Sequence, residues 1–145
     1  MRATTRTLLA ALIFFLAAAC AATSDYDPQF DRDLVALRDK VDGFLVQLEQ
    51  TAGSDGGTYA ANEVFYDELW VSFDALRQRA EVRPSNGPTL TSLNALAENL
   101  HRLEALHRQG LTAPEVPVLR KILGPQFEAL CQLEAAARPA TPGKE

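Results

Sequence analysis

Two Glu-x-x-His pairs stand in this 145-residue chain, Glu98–His101 and Glu104–His107. At that spacing a carboxylate and an imidazole share one face of a helix and can hold a metal ion between them. Carboxylate-bridged di-metal bundles use two such pairs together with two further glutamates, but each pair sits on a different helix. Here both pairs fall on one predicted helix, six residues apart. That is about 9 Å along the axis and about 120° around it, so they cannot converge on one pair of metals. The expectation is i,i+3 charge and hydrogen-bond pairs on a solvated edge, with no metal. His107 lies near the middle of the apolar arc, one turn beyond Leu103. A buried ligand or a pH-sensitive contact is the chemical option there; the favoured reading is a cap on the last carbonyls of its own helix.

The remaining catalytic chemistries find less support. No C-x-x-C-H occurs for covalent haem, no G-x-S-x-G for a serine hydrolase, and no phosphate-binding glycine loop. Gly53–Gly57 has glycines but no following Lys-Ser/Thr. Thioether copper binding is excluded because Met1 is the single methionine. The two cysteines, Cys20 and Cys131, are too few for a zinc site. Cys131 falls at the edge of an apolar arc and is expected to be packed rather than exposed. Glu63 and Asp67 could present two carboxylates to a sugar or a cation, but acids on a solvated helix face are commoner. Asp25, Asp27, Asp31 and Asp33 lack the glycine and terminal glutamate of an EF-hand loop and read as helix-start residues.

Aromatic residues carry the strongest surface signal. Tyr59, Tyr66 and Trp70 fall within about 40° of one another at one margin of a helical apolar arc. Where such residues stay exposed they anchor protein partners, so these three are the candidate partner contacts. Val64 and Val71 form a small apolar pair on the opposite side of the same helix, and Val35 and Val46 another on the helix before it.

Four stretches with apolar residues at helical spacing must position these groups, and no stretch shows sustained alternation of period two. The first helix is predicted over 27–51, with Asp27 as N-cap, Pro28 in the first turn and a stripe through Phe30, Leu34, Leu37, Val41, Leu45 and Leu48. The second spans about 58–81, carried by Tyr66, Leu69, Phe73, Leu76 and Ala80. The third spans about 89–109, carried by Leu93, Leu96, Leu100 and Leu103, with Gly110 beyond its end. The fourth spans about 114–137 after a Thr112–Glu115 capping box. Leu119, Ile122, Leu123, Phe127, Leu130 and Leu133 mark its buried face, and Gly124-Pro125 should kink or briefly break it. Residues 138–145 are expected to fray. Helices of this length joined by short loops predict an all-α, antiparallel up-down-up-down four-helix bundle.

Ahead of the bundle, Arg2 and Arg6 precede twelve residues without a charge or polar group, Leu8–Ala19. As a helix that run covers only about 18 Å, short of a hydrocarbon core of about 30 Å. With three alanines before Cys20, it reads as a secretory signal peptide over 1–19. The run Leu16-Ala17-Ala18-Ala19-Cys20 resembles the lipobox of bacterial lipoproteins, although that family commonly has leucine where Ala17 stands. The resemblance covers these residues alone. It implies cleavage before Cys20, diacylglyceryl modification of its thiol and acylation of the new amino terminus. With Ala21 rather than aspartate following, it implies the outer membrane in preference to the inner. The tether over 20–26 then reaches about 20 Å at most.

Composition sets the outer bounds. The formal charge is −5, and loss of Arg2 and Arg6 would leave twelve basic residues facing nineteen acidic ones. Such a surface repels phosphate backbones, so nucleic acid is not an expected partner. The functional expectation is a non-catalytic helical interaction or structural module of the cell envelope. It would be held to the bilayer through Cys20 and paired with an envelope protein, without cofactor or metal. The alternative is a bundle that holds a small molecule in a core cavity of a few hundred cubic ångströms.

Overall fold

The computed structural model describes residues 26–139, and these form four long helices with no strand among them. They are α1 (Pro28–Thr51), α2 (Glu63–Glu81), α3 (Gly87–Gly110) and α4 (Val116–Ala137). The signal peptide expected over 1–19, Cys20 and most of the expected tether, and residues 140–145 lie outside the described residues. No described helix is long and apolar enough to cross a membrane.

Helix α1 starts as the sequence predicts: Asp27 is its N-cap, its carboxylate accepting the Gln29 N–H at 2.8 Å, with Pro28 in the first turn. Helix α2 starts five residues later than predicted, because Asn62 captures the preceding loop. Its amide donates to the carbonyls of Gly56 at 2.9 Å and Thr58 at 2.8 Å, which gives this stretch hydrogen bonds that compete with a helical ladder. Short 3-10 turns over Asp55–Gly57 and Ala60–Asn62 result. Helix α3 starts two residues early, at Gly87-Pro88, and stops at Gly110, whose φ of 101° closes α-helical geometry. The Thr112–Glu115 capping box forms as expected, over a 3-10 turn at Ala113–Glu115.

Helix α4 does not break at Gly124-Pro125; it runs through both as one element. Two features allow this. Pro125 faces solvent, and Gly124 has no Cβ to clash with the proline ring that follows it.

The helices pack as a bundle in a closed ring of neighbours: α1 on α2 and α4, α3 on α2 and α4. Phe30, Leu34, Leu48, Leu69, Leu76, Leu93, Leu96, Leu100 and Leu130 are fully buried in one continuous core. Each such leucine contributes about 1.5–3 kcal/mol through burial. Two positions on α4 correct the predicted stripe. Ile122 is 38% exposed, and Leu133 is only half-buried. The position that completes the buried face is Glu134, at 0% exposure. A carboxylate tolerates that site because Arg83, in the α2–α3 connection, reaches it at 3.0 Å.

Other ion pairs tie helix ends together. Arg79 holds Asp27 at 3.1 Å, and Arg138 holds Asp31 and lies over the Tyr26 ring. Arg138, the first residue of the stretch expected to fray, is thus held against the start of α1.

Candidate functional site

The chemistry-bearing residues gather between α2, α3 and the α1–α2 connection. At the centre is His107, 2% exposed and bonded through both ring nitrogens. Its Nε2 lies 2.9 Å from the Gly57 carbonyl oxygen, and its Nδ1 lies 2.9 Å from the Tyr66 hydroxyl. A carbonyl oxygen only accepts, so Nε2 carries the hydrogen. In the neutral ring Nδ1 then accepts from Tyr66, and every polar atom of the trio is satisfied. The expected role of His107, capping its own helix, is therefore corrected: it joins α3 to α2 and to a loop fifty residues away. Burial, and secondarily the Glu104 carboxylate, push the Tyr66 hydroxyl above the ordinary tyrosine range, so it stays a donor.

Gly57 is required where it sits. A Cβ there would lie 2.1 Å from the Thr51 carbonyl oxygen at the end of α1. The close approach is what brings the Gly57 carbonyl over the imidazole.

Glu104 is the second hub. Its Oε1 accepts from the Tyr59 hydroxyl at 3.0 Å and from Arg108 at 2.7 Å, and its Oε2 accepts from the Trp70 indole at 2.8 Å. Burial would raise its carboxyl, but the bonds from Trp70, Arg108 and Tyr59 outweigh that and hold it below the ordinary glutamate value. The guanidinium of Arg108 lies 4.0 Å from the Tyr59 ring centroid, which covers the hub from outside. His101 stacks on Trp70 with centroids 4.0 Å apart. The two Glu-x-x-His pairs thus do not act as pairs: Glu104 bonds to α2 and to Arg108, His107 to Tyr66 and Gly57, and His101 lies against Trp70.

Of the three aromatic candidates, Tyr66 is buried at 1% exposure, while Tyr59 and Trp70 are half-buried and keep an outer edge in solvent. Phe65 stacks on Phe44 of α1 at 3.6 Å. Cys131 is half-buried against the core, and burial pushes its thiol up, away from nucleophilic reactivity. Glu63 and Asp67 are exposed. Asp31 and Asp33 bond to Arg138 and Arg79, in addition to their place near the start of α1. Among the described residues, no three His, Cys, Asp or Glu side chains gather as metal ligands.

No family model, curated protein or solved structure matches this chain.

Open space lies at the surface. A basin of about 800 Å³ sits between the α1–α2 connection and the α3–α4 connection, with Gly57, Tyr59, His107 and Arg108 among its lining residues. A pit of about 160 Å³ between α1 and α4 has Val41, Leu45, Leu123 and Phe127 as its floor and Arg38 and Arg120 at its rim. Sequence reasoning missed the hub at Glu104 and the buried pair Arg83–Glu134. For Glu134 a signal existed, since it falls on the same helical arc as Leu123, Phe127 and Leu130.

Proposed function

We propose that this chain is a non-catalytic interaction module of a bacterial cell envelope. In this reading an up-down-up-down bundle is tethered to the membrane, outer in preference to inner, through a lipidated Cys20, and engages an envelope protein partner. The observation that carries the non-catalytic part is the commitment of the site's polar atoms. Both nitrogens of His107 and both oxygens of Glu104 bond within the chain and hold α2, α3 and the α1–α2 connection together. A general acid or base must reach a substrate proton, and these groups are already engaged. The anchor rests on the lipobox-like run ending at Cys20. A short tether puts the start of α1 within about 20 Å of the bilayer surface.

Small-molecule binding is the second reading; the open space lies at the surface and not in the core cavity that reading expected, so a ligand would have to sit in the basin between the two connections.

Membrane fractionation with intact mass, on wild type and Cys20→Ser, tests the anchor. The expected result is a membrane-bound wild type with the mass of residues 20–145 plus lipid, and an unlipidated variant. A wild type that is released and cut elsewhere would overturn the tethered reading and favour the freely diffusing ligand binder.

A further inference from the structure

Six large apolar side chains of the described bundle stay exposed, and two of them belong together. Val64 and Val71 on α2 are 68% and 72% exposed. Seven residues apart, they lie about 10 Å from each other on one face, the spacing of successive seam positions in a helix pair. Beside Val71 a groove of about 440 Å³ runs between α1 and α2. Ala36, Ser72 and Ala75 line it, and such small side chains let another backbone approach closely.

Charge selects the occupant. Glu63, Asp67 and Asp74 flank the valine ridge on one side and Glu68 on the other. The facing cation is Lys40 of α1, bonded to Glu68 at 2.7 Å. The arginines near the end of α2 have acid partners of their own, Arg77 with Glu81 and Arg79 with Asp27 and Asp33. Ridge against ridge, a second copy of this chain would bring like charge against like, and an anionic lipid surface or a nucleic acid would be repelled. A helix with an apolar stripe bordered by lysine or arginine satisfies both the ridge and its flanks.

The geometry points to the Val64–Val71 ridge and the α1–α2 groove as the docking surface for a basic amphipathic helix of a partner protein. This rests on the interaction-module reading and names the face and the chemistry of the partner. The ridge supplies apolar contact, the acids set orientation and speed encounter, and the small-residue floor admits the partner's backbone.

The test is site-specific photocrosslinking in the cells that make the full chain, with a benzophenone amino acid placed at position 64 or 71. Positions 102 on α3 and 121 on α4, both exposed, serve as comparison faces. The expected result is a crosslink from 64 and 71 to a Lys/Arg-bearing segment of one other protein. Its yield should fall about tenfold in an Asp67→Lys, Glu68→Lys double variant whose melting temperature is unchanged. A crosslink to a second copy, to lipid or to a segment without basic residues overturns the proposal, as does a yield that ignores charge reversal. Crosslinks from 102 or 121 alone overturn this surface but leave the interaction-module reading standing. Silence at all four positions overturns both.

Discussion

The Tyr66 hydroxyl and Nδ1 of His107 meet 2.9 Å apart in the interior, while the other imidazole nitrogen lies 2.9 Å from the Gly57 carbonyl oxygen. One buried ring therefore holds α2, α3 and the α1–α2 connection in register. The side chains of Tyr66 and His107 are both buried, so each polar atom depends on its single partner.

Tyr66→Phe removes the donor and leaves Nδ1 buried without a partner. The expected loss is about 1–3 kcal/mol, read from the urea midpoint at constant slope. Gly57→Ala should cost about 2 kcal/mol or more, because its Cβ meets the Thr51 carbonyl and the loop must shift off the imidazole. Losses below half a kilocalorie in both would remove the trio as a structural element.

Acid should weaken the Glu104 hub. Its carboxyl is held below the ordinary value of 4.5, so the folded state binds this proton less readily than the unfolded chain. The stability it contributes is fully present above about pH 4.5 and is lost as pH falls through the lower folded value. Asp27 and Glu115 are lowered too, and both proteins compared will weaken in acid for that reason. The difference between wild type and Glu104→Gln isolates the hub: about 1–2 kcal/mol at pH 7, shrinking as the pH falls below the ordinary glutamate value. Denaturant unfolding followed by fluorescence of Trp70, the single tryptophan, measures it. A difference that does not change with pH would refute the assignment.

Two helix glycines should respond differently to alanine. Gly43 is exposed inside α1, and an added Cβ meets nothing within 4 Å. Gly43→Ala should stabilise by about 0.5–1 kcal/mol. Gly124 is equally open to its surroundings but precedes Pro125, whose ring disfavours a helical residue with a Cβ before it. Gly124→Ala should therefore gain less than Gly43→Ala or destabilise the protein. Equal gains in thermal unfolding would show that the proline imposes no constraint here.

Core and margin should separate by mutation. Leu100→Ala, at 0% exposure, should lose about 2–5 kcal/mol. Ile122→Ala, at 38% exposure, should lose about 1 kcal/mol or less. Comparable losses would restore Ile122 to the core.

Much of the architecture was legible because helix burial is periodic. The stripe from Phe30 to Leu48 is buried residue for residue. Asp27, Thr112 and Glu115 mark helix starts by local hydrogen bonding, and Pro28 by its fixed φ, none of which needs a distant partner. The departures have nonlocal causes. Helix α2 starts late because Asn62 finds carbonyls in a folded loop. Glu134 occupies a buried position because Arg83 arrives from another connection and bonds one oxygen of its carboxylate.

The same division holds for the candidate site. The sequence by itself determined the four helices, their apolar faces and the place of His107 on one of those faces, because a period of 3.6 residues is a local property. It also determined the acidic charge balance and, in the run ending at Cys20, the residues on which a lipid anchor is argued. Only the tertiary structure decided that His107 bonds Tyr66, 41 residues away, and Gly57, 50 residues away, and that Glu104 takes Tyr59 and Trp70. Hydrogen-bond partners are chosen by which surfaces packing brings together. Spacing along one helix, which made Glu-x-x-His look like a pair, carries no information about that choice.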